Sequence, residues 1–147
     1  MDLGQLIFAK NMIPQLSSAD KAGVLEELIN RLVETGEISD RDRILEAIWK
    51  REKLMSTGLQ NGIATPHAKT DFTDEMKVAI GLKPRGIEFE SLDGNPSTIF
   101  VLLLSPTAAR GPHVQFLAEI AKRLKDEGAR TKLLAAQSAD EIAGFFI

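Results

Sequence analysis

Two histidines stand out as candidates for chemistry, and the first follows a segment rich in small and polar residues. His67 comes directly after Pro66, which has no backbone donor and biases the preceding residue toward extended backbone. Residues 63–65 are therefore predicted to form a short strand, with His67 as the first residue beyond its end. The upstream segment offers hydrogen-bond donors and little bulk, as an anion requires. The candidate ligand-binding residues in it are Ser56, Thr57, Gly58, Asn61 and Gly62.

The second histidine and one arginine are predicted to lie at helix ends. His113 follows Pro112, which suits the first position of a helix, so His113 is expected at a helix N-terminus. Open α/β sheets place ligand clefts at the ends of their strands, and we hypothesise that His67 and His113 pair there. Arg51 falls in the last turn of another predicted helix. Spacing alone leaves open that Arg51 is only an exposed cation interacting with the helix dipole.

Paired histidines are compatible with several kinds of chemistry. Zinc would need a third or fourth ligand, but the chain has no cysteine and no H-E-x-x-H or related spacing. A serine hydrolase is unsupported because there is no nucleophile-elbow motif. Neutral imidazole is a good nucleophile toward phosphorus. Phosphoryl transfer also needs hydrogen-bond donors for the phosphoryl oxygens. Arg51, the loop from Gly58 to Gly62 and the helix start at His113 could supply them. A histidine without a function remains the alternative.

Composition limits the class of protein. At 147 residues, with 44% apolar and 27% charged residues, the chain is expected to form one globular domain, residues 1–147. It has no secretory signal, no apolar run of about 20 residues and no cysteine, so we expect a cytoplasmic protein without membrane insertion. The net charge of -3 and the lack of aromatics among the basic clusters argue against a nucleic-acid partner.

Helices are predicted at both ends of the chain and strands in its middle. Apolar residues recur at helical spacing in residues 17–36, with a capping pattern at Ser17 and Asp20, and again in residues 39–54, with Ser39 and Asp42. Strands are expected at 78–82, ended by Pro84-Arg85-Gly86, at 87–92, and at 99–104, the last buried on both faces. Further helices are expected after Pro112, at 130–136 after a break at Gly128, and at 139–146 after Ser138. Residues 3–16 suggest an extended entry segment.

This order of elements predicts a single α/β domain. The central sheet should be mixed, containing parallel and antiparallel pairs, and covered by helices on both sides.

The chain resembles a known family over essentially its whole length. The matching residues are Arg51-Glu52, Ser56-Thr57-Gly58, Asn61-Gly62-Ile63-Ala64, Pro66-His67, Leu92-Asp93-Gly94, Pro112-His113 and the helix segment 117–121. Together they are similar to the fructose/mannitol-type (type-2) enzyme IIA (EIIA) domain of the bacterial phosphoenolpyruvate-dependent phosphotransferase system (PTS). This family includes a nitrogen-regulatory branch.

The resemblance implies roles for three residues. His67 would accept a phosphoryl group from the histidine phosphocarrier HPr or its nitrogen-branch relative, His113 would be the auxiliary histidine, and Arg51 would bind the phosphate. No cofactor or metal is implied. Two residues depart from the family pattern: Gln60 replaces a usual glycine, which puts transfer rate and partner choice in question, and Thr65 replaces an aliphatic residue, which should change only strand packing.

Sugar-transport members of the family pass phosphate to a IIB domain, whereas nitrogen-type members regulate other proteins. The chain carries no fused IIB, HPr or membrane portion, which favours the nitrogen-type regulatory branch. A sugar-specific IIA component is the alternative. A non-catalytic binding module of the same fold is a third possibility, against which the presence of His67, His113 and Arg51 together argues.

Overall fold

The computed structural model describes all 147 residues. Its helices are α1 (Lys21–Glu34), α2 (Arg41–Leu54), α3 (Arg110–Arg123), α4 (Glu127–Leu134) and α5 (Ala139–Phe146). Its strands are β1 (Met12–Ile13), β2 (Ile63–Ala64), β3 (His67–Lys69), β4 (Lys77–Ile87) and β5 (Ser97–Ser105). None of the helices has the length and apolar character needed to cross a membrane.

The strands form one mixed sheet, as predicted. Its order is β1-β4-β5-β2, and β3 also pairs with β5. The β4–β5 pair is antiparallel, whereas β1–β4, β2–β5 and β3–β5 are parallel. The strands β2 and β3 therefore follow one another along the same edge of β5, which brings His67 alongside the carboxyl end of that strand.

The short strand predicted at 63–65 is confirmed as β2, but His67 does not lie outside the sheet, because it opens the next strand, β3. Strand β2 ends at Ala64, and the chain resumes pairing with β5 at His67, which is opposite Leu103. Pro66 cannot donate a hydrogen bond, but its carbonyl accepts one from the Leu103 N–H at 3.0 Å. The proline therefore interrupts the strand without turning the chain away from the sheet.

Helices cover both faces of the sheet, which confirms the predicted architecture. One core combines α1 and α2 with Phe100, Leu102 and Leu104 of β5. The other combines α3, α4 and α5 with the alternating residues of the same strand, Ile99, Val101 and Leu103. Because successive strand residues point to opposite faces, the apolar run in β5 serves both cores, as predicted.

Two helix starts differ from the predicted capping pattern. Helix α1 is capped by Asp20, whose carboxylate accepts from the Gly23 N–H at 2.8 Å, while Ser17 binds Glu27 instead. Helix α2 begins after Asp40 without a side-chain cap. The Ser39 carbonyl accepts from the N–H of residue 41, so the chain already turns there.

Several other boundaries were predicted incorrectly. Strand β4 runs through Pro84 to residue 87, because an irregularity in the β4–β5 register tolerates the N–H that proline lacks. No separate strand spans 87–92.

The helix boundaries also differ from the prediction. Pro112 is the third residue of α3, a position whose N–H has no partner within the helix in any case. Gly128 lies within the first turn of α4. The segment 3–16, predicted to be extended, contains two short 3-10 helices, Leu3–Gln5 and Ala9–Asn11, and its only strand is β1. The Ser138 cap on α5 is confirmed, with Glu141 N–H as its donor.

Candidate functional site

The two histidines lie together, as hypothesised from the sequence. His67 opens β3, and His113 is in the first turn of α3. Their ring centroids are 5.2 Å apart, with an angle of 68° between the ring planes. Two imidazoles that meet edge to face at this distance can act on the same small group.

The proton on His67 has a defined position. Its Nδ1 is 2.6 Å from the carbonyl oxygen of Thr65. A carbonyl oxygen only accepts hydrogen bonds, so Nδ1 must carry the proton and Nε2 must carry the lone pair. Burial of the half-buried ring lowers the pKa of His67, the Thr65 carbonyl opposes this shift, and the nearby charge of Arg51 adds to it. The ring is therefore neutral near pH 7, with its lone pair on Nε2.

His113 is almost fully enclosed and is also neutral near pH 7. Only 3% of the residue is exposed. Burial lowers the pKa of His113 to about 4, with smaller contributions from repulsion by His67 in its protonated form and by the charge of Lys69. Its Nδ1 lies 2.7 Å from the hydroxyl of Ser105, the last residue of β5. Sequence reasoning missed Ser105 because its position under His113 depends on how α3 packs on the sheet.

Arg51 makes the helix-end contact that one of the two interpretations expects, and its role in phosphate binding stays a prediction. Its Nη1 donates to the carbonyl oxygen of Met55 at 2.7 Å, a contact at the C-terminal end of α2. The guanidinium is nevertheless close enough to His67 for its charge to lower the pKa of that imidazole. Its remaining N–H groups have no partner within the protein, which leaves them available to a phosphoryl oxygen.

Several donors of the loop before His67 are already engaged within the protein. The Gly58 N–H donates to the Ser56 hydroxyl at 3.1 Å, and the Asn61 N–H donates to Asp93 at 3.2 Å. The N–H and hydroxyl of Thr57 both donate to a buried carboxylate. An anion would have to displace these bonds, so an anion-binding role for this loop stays a prediction.

Packing and backbone conformation account for the glycines of this loop. A Cβ on Gly58 would lie 2.7 Å from the Ser91 hydroxyl. Gly62 has a φ of +77°, which favours glycine, and a Cβ there would lie 2.7 Å from the hydroxyl of Thr98. Gln60, the first departure from the family pattern, is exposed on the loop. The second departure, Thr65, is buried, and it contacts His67 through its main chain rather than its side chain.

Glu52 anchors the loop and was missed as a functional candidate. It is 5% exposed, and its carboxylate accepts from the Thr57 N–H at 3.0 and 2.9 Å, with the Lys21 ammonium 3.6 Å away. The sequence contains a signal for it, because Ile44, Ile48 and Glu52 are spaced four residues apart and share one face of α2. A carboxylate that continues an apolar stripe must have buried partners.

Lys69 is a second cation that sequence reasoning missed. It is exposed, it lies two residues after His67 in β3, and it is paired in register with Ser105. Strand alternation places it on the same face as His67. Its charge lowers the pKa of both histidines. No group of three His, Cys, Asp or Glu side chains is arranged to hold a metal ion.

Comparison with known proteins identifies the family. Residues 5–147 match the family model described as "Phosphoenolpyruvate-dependent sugar phosphotransferase system, EIIA 2". The chain is 36% identical to a PTS fructose-specific EIIA component from Haloferax volcanii over 84% of this chain and 80% of that protein. It is 32% identical to a nitrogen regulatory protein from Bradyrhizobium diazoefficiens over 97% of this chain and 92% of that protein.

Solved structures agree with this assignment. The fold matches the crystal structure of the nitrogen regulatory protein IIA-Ntr from Neisseria meningitidis with a TM-score of 0.91 and 26% identity, over 99% of each chain. The matched segment contains both histidines and Arg51, as the resemblance of the sequence motifs indicated. The chain therefore belongs to the EIIA type-2 family of the phosphoenolpyruvate-dependent phosphotransferase system.

Proposed function

We propose that this protein is a histidine phosphocarrier that accepts a phosphoryl group on Nε2 of His67. The observation that carries the proposal is the 2.6 Å contact between Nδ1 of His67 and the Thr65 carbonyl oxygen. It commits the ring proton to Nδ1 and leaves the Nε2 lone pair free for attack on phosphorus. The lowered pKa of His67 keeps that lone pair unprotonated at neutral pH.

The transfer would proceed from one imidazole to another. The Nε2 lone pair forms the new N–P bond, while the donor's imidazole leaves with the electron pair of the old one. The proton stays on Nδ1 and donates a hydrogen bond to the Thr65 carbonyl oxygen, which stabilises the positive charge that develops on the ring. Arg51 and Lys69 supply positive charge for the phosphoryl oxygens, and His113 acts as the auxiliary imidazole.

The donor would be HPr or its nitrogen-branch relative, acting in the cytoplasm on a single domain, residues 1–147. We favour the nitrogen-type regulatory branch because a nitrogen regulatory relative matches 97% of this chain in sequence and the IIA-Ntr structure matches 99% of it. The output would then be regulatory target proteins. The 36% identity to the fructose-specific component favours the alternative, a sugar-specific IIA that passes phosphate to a IIB domain.

Phosphorylation by purified donors tests the proposal. The protein is incubated with phosphoenolpyruvate, enzyme I and either HPr or the nitrogen-branch donor, and its intact mass is measured. We expect one acid-labile phosphoryl group on the wild type and none on His67→Ala. Stoichiometric phosphorylation of His67→Ala, or no phosphorylation of the wild type by either donor, would refute the proposal.

A further inference from the structure

The two imidazoles have chemically different partners at Nδ1. His67 contacts a main-chain carbonyl, which accepts a hydrogen bond and never donates one. His113 contacts the hydroxyl of Ser105 at 2.7 Å, and a hydroxyl can do either. The two rings can therefore carry their single protons on opposite nitrogens.

We propose that Ser105 is a positioning residue that donates its hydroxyl proton to Nδ1 of His113 and so places the ring proton of His113 on Nε2. In this tautomer His113 can donate a hydrogen bond to the phosphoryl group carried by His67. The inference rests on the proposed phosphocarrier function and assigns a role within it to a residue of β5.

The surroundings of Ser105 support this role. Its side chain belongs to the face of β5 that carries Ile99, Val101 and Leu103, so an apolar residue would be the ordinary choice at this position. Ser105 is fully buried, and its hydroxyl has no partner other than His113. A buried hydroxyl is costly unless it is hydrogen-bonded, and here the one available partner is the imidazole.

The position of Ser105 is fixed by the main chain. Its carbonyl accepts from the Thr70 N–H at 2.9 Å, and it is paired with Lys69 in the β3–β5 register. The hydroxyl is thus held at the strand end, beside the strand that carries His67. Burial keeps His113 neutral, so only one of its nitrogens bears a proton, and the hydroxyl can decide which.

A hydroxyl beside His113 is also suitable once the phosphoryl group has been transferred to His67. When a phosphoryl dianion arrives on His67, its negative charge favours protonation of the neighbouring ring. The protonated His113 then needs an acceptor at Nδ1, and the same hydroxyl can reverse its direction to provide one. A fixed acceptor such as the Thr65 carbonyl would hold the neutral ring in the other tautomer.

The tautomer can be measured directly by nitrogen-15 NMR of the histidine rings in the unphosphorylated wild type. We expect the Nε2–H tautomer for His113 and the Nδ1–H tautomer for His67. Observation of His113 as the Nδ1–H tautomer would overturn the proposal. This measurement needs no variant and no phosphate donor, so it decides the role of Ser105 even if the phosphocarrier function fails.

A variant pair tests the consequence for transfer. Ser105→Ala should slow phosphorylation of His67 roughly 10-fold, the usual scale for one lost hydrogen bond in a transition state, with the final stoichiometry unchanged. Ser105→Thr, which keeps the hydroxyl, should recover most of the rate. The matched control is Ser97→Ala at the opposite end of β5, where an equally buried hydroxyl contacts Ser91 at 2.9 Å. Its transfer rate should equal that of the wild type.

A double variant separates positioning from general structural damage. In a His113→Ala background, Ser105→Ala should cause no further loss of rate, because the group that it positions is gone. A further loss of the same size, or a wild-type rate for Ser105→Ala alone, would contradict the proposal.

Discussion

The chemistry of each site residue is set by the atoms that contact it. The sequence does not show which nitrogen of His67 carries the proton, whereas the Thr65 carbonyl places it on Nδ1 and the lone pair on Nε2. His67, His113 and Arg51 could be selected from residue type and neighbouring motif. Ser105 and Lys69 could not, because a serine and a lysine in a strand give no signal until the register places them beside the imidazoles.

The proposed role of Arg51 in phosphate binding can be tested with two variants, one that removes its charge and one that keeps the charge but changes the shape of the donor group. A guanidinium offers paired donors to a phosphoryl dianion, and a lysine does not reproduce that geometry. Arg51→Ala should slow transfer to His67 by roughly 10²-fold, the scale of one removed charge-stabilising donor, and Arg51→Lys should recover only part of the rate. Rapid-quench measurement of phosphoprotein formation gives these rates.

The matched control for Arg51 is Arg43→Ala. Arg43 lies on the same helix, and its guanidinium is 5.0 Å from the centre of the Phe72 ring. Wild-type rates for both Arg51 variants, with normal folding, would show that Arg51 only terminates the helix.

The buried His113 should make stability depend on pH. In the unfolded chain its pKa is near the ordinary value of 6.5, whereas in the folded protein it is about 4 because of burial. Between these values the unfolded state binds the extra proton, so stability falls as the pH is lowered. The lowered pKa of His67 acts in the same direction.

Between pH 7 and pH 5, the loss from His113 should be on the order of 2 kcal/mol in the free energy of unfolding. Urea denaturation at both pH values measures it. His113→Gln should lose less stability than the wild type over this interval. An equal loss in the two proteins would show that His113 titrates normally in the folded state.

At the scale of elements, the helices were easier to predict than the strands. The apolar periodicity of α1 and the Ser138 cap of α5 are local features of the sequence. The extent of β4 and the existence of β3 depend on pairing with β5, which a local pattern cannot reveal. Pro84 illustrates the difference, since it ends an isolated strand but is tolerated at an irregularity in a paired one.

Glu52 connects α2 to the loop before His67, so its replacement should lower the stability of the protein. Glu52→Ala leaves Lys21 and the donors of Thr57 without their buried partner. Breaking such a pair typically costs about 3–5 kcal/mol in the free energy of unfolding. Urea denaturation should show a loss on this scale, whereas Glu46→Ala, on the exposed side of the same helix, should change stability little. Similar stability for both variants would exclude Glu52 as an anchor.

At the scale of the whole molecule, the architecture follows from patterns that extend along the chain. The unbroken apolar run of β5 requires cover on both faces, and the amphipathic helices before and after it provide that cover. The same two-sided packing brings β3 and α3 together and so pairs His67 with His113. The packing of α3, which places a serine under His113, is a tertiary result that no sequence pattern encodes.

Phosphorylation should change which proteins dock around His67. A phosphoryl group adds about -1.5 to -2 charge at neutral pH, and Met55 and Val114 are exposed apolar residues next to the site elements. Pull-downs with the phosphorylated wild type and with His67→Ala should recover different non-transporter partners. Recovery of a sugar-specific IIB alone, with restored sugar phosphorylation in an extract lacking IIA, would assign the protein to the transport branch.

The most direct test of the account is the position of the phosphoryl group on the phosphorylated protein. Long-range proton–nitrogen NMR of the histidine rings identifies both the residue and the nitrogen that carries phosphorus. The hydrogen bond from His67 Nδ1 to Thr65 predicts phosphorus on Nε2 of His67, with the Nδ1 proton retained and His113 unmodified. Phosphorus on Nδ1 of His67, or on either nitrogen of His113, would contradict it.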